Sequence, residues 1–549
     1  MLLTMYKPSV ETLFAVGEML QYFMFDRSCK NVLVRGVNWI GDSVMTLPAI
    51  RSLKKALPDS RLSLLVKPWV SPVFEHNPFI DEIIPYGDEY RSFFGRLRLS
   101  RRLSKKGFCG AVLLQNAFDA ALITLLSGIG NRVGYSRDGR GFLLNTKVPV
   151  PQDADRTHQI YYYLNLLKQA GIEAEYAYPY IYLLADERLQ ARTILGQIKR
   201  PLLGINPGAT YGSAKRWFPD RFSEVASWFI KDTGGSVVVF GGQAESDISE
   251  EICRDLELEK FAEQKYPYNF LGEHLLNMTG KTTLRELIAF ISECDVLVTN
   301  DSGPLHIGYG VRTPMVAIFG STDPVLTGPP PEAEGVSHVV IKPDIPCSPC
   351  FGRVCSKNDM ECMYAVTPDD VYFGIKKLLA HRTAVFFDRD GTLNKDTGYI
   401  NSPGDFHVFE DIGQLRLLKE AGLMLIGVSN QSGIARGIVD ENFVRQTNKI
   451  FIDKYGFDDF FYCPHHPDEH CPCRKPEPEM LLRARAIHRI DLKKSYIVGD
   501  KEADMLLARA VGAKTILVRT GMLRESSNAD YSASNLSEAV EWILRNENP

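Results

Sequence analysis

The sequence predicts an α/β protein built from three parallel-sheet units, and three observations carry that prediction. Short β-rich runs alternate with amphipathic stretches from residue 31 to residue 518. The 549 residues, at about 150 per domain, suffice for three or four compact units, each with its own core. Several runs end in glycine- and aspartate-rich punctuation, as expected where a parallel strand hands over to a helix.

The first series comprises NVLVR (31–35), RLSLLV (61–66) and AVLLQ (111–115). A second comprises LLGIN (202–206), GSVVVF (235–240), DVLVT (295–299) and PMVAIF (314–319). Residues 176–200 lie between the two and are expected to join two lobes. The third series runs through AVFF (384–387), LMLIGV (423–428), SYIVG (495–499) and TILV (515–518). The expected organisation is therefore an N-terminal extension (1–30), one lobe over 31–185, a second over 186–378 and a separate domain over 379–549. There is no internal repeat and no low-complexity segment.

Composition narrows the partners. With 63 basic against 67 acidic residues and a net charge of −4, there is no overall electrostatic case for nucleic acid. The opening residues lack a basic start followed by an unbroken apolar run, and no stretch reaches the ~18 apolar residues of a spanning helix. The expected location is cytoplasmic. Most of the eleven cysteines fall into two tight clusters, which suggests metal ligands rather than a dispersed disulfide framework.

The third unit carries the most readable chemistry. Three polar segments follow its strands: DRDGT after AVFF, SNQSG after LIGV and GDKEAD after YIV. Attack on a phosphoryl group by a carboxylate needs a nucleophile, a proton donor for the leaving oxygen and a cation. Asp388 and Asp390 can supply the first two, and Asp388, Asp390 and Asp500 offer oxygen ligands suited to Mg²⁺. Ser429, Asn430, Lys475 and Lys501 are the expected substrate contacts. Solvated acidic loops are the bland alternative; they account for one such turn but not for several in this order. Within CPHHPDEHCPCRKP, Cys463, His465, Cys471 and Cys473 form a four-ligand set for one structural tetrahedral Zn²⁺, with His466 or His470 as substitutes for His465. Such an ion would stiffen the loop and bring Arg474 and Lys475 to the substrate phosphate.

These motifs resemble the haloacid-dehalogenase (HAD) superfamily phosphatases over about 383–535. The resemblance implies that Asp388 takes the phosphoryl group, Asp390 acts as acid then base, and Asp504 supports Asp500. Within the superfamily, the zinc loop joined to DRDGTLN and NQSGIARG is similar to the heptose 1,7-bisphosphate 7-phosphatases. Histidinol-phosphate phosphatases carry a very similar loop, and the local motifs leave both open.

In the first unit, VNWIGDSVMTLPAI places Asp42 at a strand-to-helix turn, where a carboxylate serves as a general base or as a helix cap. In the second, GINPGATYGSAKRWFP brings glycines and Lys215 after a buried strand, and TNDSGPLH sets Asp301, Ser302 and Gly303 where a helix would begin. Free N–H groups and the helix dipole at such a terminus favour a diphosphate. Together WIGD, GxxYGxAKRW and NDSGPLH resemble family-9 glycosyltransferases over about 30–375. VGYSRDGRGFLL (133–144) and PCSPCFGRVC point to the lipopolysaccharide heptosyltransferase II branch.

That resemblance implies a GT-B fold, two Rossmann-like lobes facing across a cleft, and inverting transfer of heptose from ADP-heptose to the lipopolysaccharide core. It makes Asp42 the base, with Thr210, Lys215, Ser302, Gly303 and His306 steadying the ADP diphosphate. For an acidic donor contact, GGQAE offers Gln243 or Glu245. The two resemblances imply a bifunctional enzyme serving two steps of one heptose pathway, which favours heptose bisphosphate as the phosphatase substrate. A histidinol-phosphate phosphatase, or transfer of a different sugar, stays open. Residues 91–106 hold seven basic side chains and no acidic one, and fit either an anionic inner-membrane surface or a solvated helix face. The cysteines 347, 350, 355 and 362 fit either a metal site or a structural loop.

Overall fold

The structure is a computed structural model describing residues 29–256, 269–270, 274–330 and 338–547. The expected extension before residue 29 lies outside the described residues. The first sheet contains β1 (Asn31–Arg35), β2 (Arg61–Val66), β3 (Glu82–Pro85), β4 (Gly110–Leu113), β5 (Asn131–Tyr135) and β6 (Thr146–Val148) in the order β3-β2-β1-β4-β5-β6, all parallel. The second contains β7 (Leu202–Asn206), β8 (Ser236–Val239), β9 (Asn269–Phe270), β10 (Leu275–Asn277), β11 (Val296–Asn300), β12 (Met315–Ile318) and β13 (His338–Ile341). Its order is β13-β12-β11-β7-β8-β10-β9, with β9 antiparallel. The third contains β14 (Ala384–Phe387), β15 (Met424–Asn430), β16 (Asp459–Cys463), β17 (Tyr496–Gly499), β18 (Lys514–Val518) and β19 (Tyr531–Ala533) in the order β16-β15-β14-β17-β18-β19, again parallel.

Central strands such as β8 (SVVV), β12 (MVAI) and β14 (AVFF) are buried along their whole length, because helices cover both faces of each sheet. Eight helices position the functional groups: α1 (Ile40–Met45), α2 (Leu47–Ala56), α3 (Phe93–Ser104), α4 (Ala185–Leu195), α5 (Leu284–Glu293), α6 (Gly303–Gly310), α7 (Glu479–His488) and α8 (Glu502–Val511).

One apolar cluster runs from β1 through Val44, Ile181 and Leu305 to β12, so the first two lobes share a core at their junction. Between the two sheets, residues 176–184 form neither helix nor strand, and α4 follows. Ile181 N–H donates to Gly310 O at 2.9 Å, which seats this segment along α6. Cysteine usage departs from the expectation at one pair. Cys29 precedes β1, Cys109 precedes β4, and because those strands are neighbours the two cysteines meet in a disulfide with Cα atoms 5.7 Å apart.

Candidate active sites

Across the cleft between the first two lobes, the N-terminal ends of α1 and α6 face each other. Their approach demands small residues. A Cβ on Gly41 would lie 2.5 Å from His306 Cδ2, and one on Gly303 would lie 3.3 Å from Ile40 Cβ. Asp42 sits in the first turn of α1, where burial pushes its carboxyl up to about 6 against the opposing pull of the Tyr163 hydroxyl and Lys215. The Tyr163 hydroxyl is 3.5 Å from Asp42 Oδ1. A carboxylate raised in this way is a stronger base than an exposed aspartate.

On the other side, Lys215 Nζ lies 2.5 Å from Asp301 Oδ2, which also accepts from Thr322 Oγ1 at 2.6 Å. Asp301 therefore orients Lys215 instead of presenting a free carboxylate. Ser302 Oγ accepts from Asn206 Nδ2 at 3.1 Å, and among the described residues no side chain caps α6. Its terminal N–H groups and dipole are directed at the cleft. Burial pushes His306 down to about 4, so it is neutral, and its Nδ1 is 2.8 Å from the Tyr309 hydroxyl. Thr210 is exposed on the loop after β7.

The structure also separates Gln243 from Glu245. A Cβ on Gly208 would collide with the Glu245 carboxylate, which thus lies against the loop bearing Lys215, whereas Gln243 lies against Gly280. The cysteine-rich stretch supports the same loop. Tyr211 hydroxyl donates to Phe351 O at 3.2 Å, Ala214 N–H donates to Arg353 O at 3.1 Å, and the Tyr211 ring has Lys215 at 4.7 Å and Arg353 at 5.0 Å. Sequence reasoning gave no role to Tyr163, Tyr211 or Arg353: long-range packing brings Tyr163 and Arg353 to the cleft, and although Tyr211 shares the loop of Lys215, the placing of its ring between Lys215 and Arg353 is tertiary.

The second site lies at the C-terminal edge of the third sheet. Lys475 Nζ, fully buried, donates to Asp388 Oδ1 and Asp504 Oδ1 at 2.6 Å each and to Val428 O at 3.0 Å. Asp504 thus anchors Lys475, a role beyond the expected support of Asp500. Asp388, Asp500 and Asp504 bring carboxylate oxygens within 4.8 Å of one another. Burial, then Asp388, pushes Asp500 up to about 7; burial also lifts Asp504 to about 6 despite Lys475.

Lys501 Nζ lies 3.1 Å from the Asp390 carbonyl, 3.0 Å from Asp396 Oδ2, 3.9 Å from Asp388 Oδ2 and 4.0 Å from Asp500 Oδ1. Its ammonium occupies a point ringed by hard oxygen donors, which is the donor chemistry Mg²⁺ requires. Asp390 differs from the expectation in one respect. Its carboxylate accepts from Arg389 at 2.8 and 2.9 Å, Gln431 at 2.9 Å and Asn394 at 3.0 Å, so its backbone oxygen, not its carboxylate, faces that point. Burial raises the Asp390 carboxyl, but Arg389 outweighs it and holds the group below the usual carboxylate range.

Ser429 Oγ accepts from Gln431 Nε2 at 2.6 Å. Asn430 exchanges two hydrogen bonds with the Lys475 backbone, at 3.0 and 3.2 Å, and so positions Lys475. Beside it, Arg474 Nη1 is buried with no acceptor among the described residues. Cys463, His465, Cys471 and Cys473 also converge within 4.8 Å, with His465 Nδ1 3.3 Å from Cys473 Sγ and 3.6 Å from Cys463 Sγ. Three thiols and an imidazole fit tetrahedral Zn²⁺. His466 Nδ1 instead accepts from Asp468 N–H. Among the described residues, cysteines 347, 350, 355 and 362 form no third convergent group.

A two-lobed GT-B cleft holding a raised carboxylate opposite a helix N-terminus, joined to an aspartate-rich HAD-like sheet, defines a glycosyltransferase fused to a phosphohydrolase-type domain. Residues 96–361 match glycosyltransferase family 9 (heptosyltransferase), and residues 472–539 match the HAD-hydrolase-like family. The lipooligosaccharide heptosyltransferase 2 of Haemophilus influenzae is 30% identical over 312 residues, covering 54% of this chain and 86% of the relative. The D-glycero-beta-D-manno-heptose-1,7-bisphosphate 7-phosphatase of Escherichia coli is 40% identical over 183 residues, covering 30% of this chain and 96% of the relative. The solved ADP-heptose lps heptosyltransferase II of E. coli aligns at 25% identity with a TM-score of 0.52, covering 63% of this chain and 98% of that one. The chain belongs to the family-9 heptosyltransferases through its first two lobes and to the heptose bisphosphate phosphatases through its third.

Proposed function

We propose that the chain carries out two reactions of lipopolysaccharide inner-core heptose metabolism: transfer of heptose from ADP-heptose to the core, and hydrolysis of the 7-phosphate of heptose 1,7-bisphosphate. The observation that supports this reading is that the candidate groups gather in two separate places, the cleft between the first two lobes and the C-terminal edge of the third sheet. In the cleft, Asp42 removes the proton from the acceptor hydroxyl, whose oxygen attacks the anomeric carbon as the bond to the ADP diphosphate breaks. Base and diphosphate contacts stand on opposite lobes, an arrangement compatible with the inverting transfer that the family resemblance implies. Lys215, Ser302, Gly303 and the first turn of α6 take up the departing charge. Thr210 contributes from the lip of the cleft, and Glu245 is the acidic donor contact.

In the third domain, Asp388 attacks phosphorus and forms an aspartyl phosphate as the bond to the sugar oxygen breaks; Asp390, whose ionised form Arg389 favours, first takes up a proton and then gives it to that leaving oxygen. Asp390 then deprotonates the water that releases phosphate and restores Asp388. Lys475, Arg474, Ser429 and Lys501 hold the phosphate oxygens. Asp388, Asp500 and the Asp390 carbonyl would hold Mg²⁺, which would supply charge neutralisation. Cys463, His465, Cys471 and Cys473 would hold a structural Zn²⁺, which would fix the loop that ends in Arg474.

The acceptor lobe also fits peripheral contact with the cytoplasmic face of the inner membrane. Every strand from β1 to β5 is followed at its C-terminal edge, the edge of Asp42, by an exposed aromatic: Trp39, Trp69, Phe94 (80% exposed), Phe118 and Phe142 (72% exposed). Helix α3 buries Leu99 and Leu103 yet leaves Phe93 and Phe94 outside among Arg91, Arg98 and Arg101. Among the described residues no helix is long and apolar enough to cross a membrane.

The test is a donor screen on the purified chain with a heptose-deficient core acceptor, alongside kcat/KM for heptose bisphosphate and histidinol phosphate. ADP-heptose and heptose bisphosphate are the expected preferences. Preference for histidinol phosphate, or for another nucleotide sugar, overturns the corresponding half.

A further inference from the structure

The phosphatase domain does not hang from a tether. It touches the acceptor lobe, the joining segment and the donor lobe together. Lys55 on α2 pairs with Glu469 of the Cys/His loop at 2.8 Å, and Tyr182 of the joining segment donates to His470 O at 3.2 Å. On the donor lobe, Glu293 at the end of α5 is buried among Arg192 (3.0 Å), Arg200 (3.6 Å) and Lys493 of the phosphatase domain (3.3 Å).

Two further contacts form a reciprocal pattern. Helix α6 carries the donor-site turn at its N-terminal end, and just past its C-terminal end stands Arg312, 4% exposed. Arg312 pairs with Glu479 of α7 at 2.6 Å, and Arg485 of α7 donates to the Arg312 carbonyl. Helix α8 carries Lys501 and Asp504 at its N-terminal end. Near its C-terminal end, the carbonyls of Arg509 and Ala510 each accept from Arg192 of α4 at 3.0 Å. Each active-site helix is therefore held at its far end by the other enzyme. At 1.5 Å per residue these rods are about 12 and 15 Å long, too short and stiff to absorb a shift at one end without moving the other. The chain offers a second connection as well, since Lys475 in the phosphatase site lies four residues before Glu479.

We propose that Arg312, Glu479 and Arg192 are positioning residues that couple the two active sites, so that a phosphate group bound in the third domain changes the affinity of the cleft for a nucleoside diphosphate. The coupling acts through the end-to-end placement of α6 and α8. It rests on the functional reading above only in taking both sites to bind their anions.

Calorimetry on the full chain tests this directly, with ADP titrated in the presence and absence of saturating inorganic phosphate and Mg²⁺. Linkage requires the same factor when the order is reversed, and about three- to tenfold is expected. Two variants sharpen the result. E479Q, which keeps the side-chain shape, should raise KM for ADP-heptose about threefold or more with phosphatase kcat/KM unchanged. R192K, which keeps a charge beside Glu293 but cannot serve both carbonyls, should raise the phosphatase KM with transfer unchanged. This crossed pattern, each substitution acting on the other domain's substrate, is one that general destabilisation does not produce. Equal ADP affinity with and without phosphate overturns the coupling, as does loss of activity only in the domain that carries each substitution. A wild-type chain that binds neither anion overturns the coupling and the functional reading together; one that binds both independently overturns the coupling alone.

Discussion

The two active sites solve the same problem, handling a phosphorylated sugar, with opposite arrangements of charge. In the third domain the groups come from one sheet edge and neutralise one another in advance: Lys475 is shared by Asp388 and Asp504, and Asp390 is filled by Arg389, Gln431 and Asn394. In the cleft the base and the anion site stand on different lobes, and only their approach completes the machinery. A site built on one sheet fixes its groups against one another and feels the neighbouring lobe through the far end of α8, whereas a site split between lobes depends on every contact that sets their spacing.

The largest expected effect separates the two sites outright. D388N removes the nucleophile and should lower heptose bisphosphate hydrolysis by about 10⁴-fold or more, while transfer is retained. The counterpart, D42N, should lower transfer by about 10³-fold and leave hydrolysis intact. Loss of both activities in either folded variant would break the comparison.

Acidity sharpens it next. Asp42 is raised to about 6, so its carboxylate form is lost as pH falls through that value. Transfer kcat/KM should then drop about tenfold per unit on the acid side, far above the ordinary aspartate range. An acid limb near pH 4 in the rate profile would show that Asp42 is not the base.

Metal removal addresses the other site. Elemental analysis should find one zinc per chain, and C471S should lose it with about a tenfold fall in phosphatase kcat/KM, because Arg474 and Lys475 follow directly in the chain. The smallest effect belongs to the lobe contact. G41A places a methyl against His306 and should raise KM for the transfer substrates about fivefold, with hydrolysis unchanged. An unchanged KM would mean that the lobes part easily at this point.

Much of the fold was legible because the central strands are continuous apolar runs. NVLVR, LLGIN and AVFF coincide with β1, β7 and β14. Short edge strands such as β6 (TKV) and β19 (YSA) escaped notice, since a half-exposed strand of three residues carries too little apolar periodicity. The phosphatase residues were legible for a related reason: strand ends of one sheet must converge. Asp504 as the anchor of Lys475, and the Asp390 carbonyl facing the ring of oxygens, were not legible, because side-chain direction depends on which partners surround it.

The sequence by itself determined the three α/β units, the carboxylate, lysine and Cys/His sets and their order along the chain, because strand composition and turn chemistry are local properties. Only the tertiary structure decided that Gly41 meets His306 across the cleft, that Cys29 meets Cys109, and that Arg312 and Arg192 bind the partner enzyme's helices. Such pairings join residues tens to hundreds of positions apart, and no local preference encodes them; they follow from how buried surfaces pack once each unit has formed.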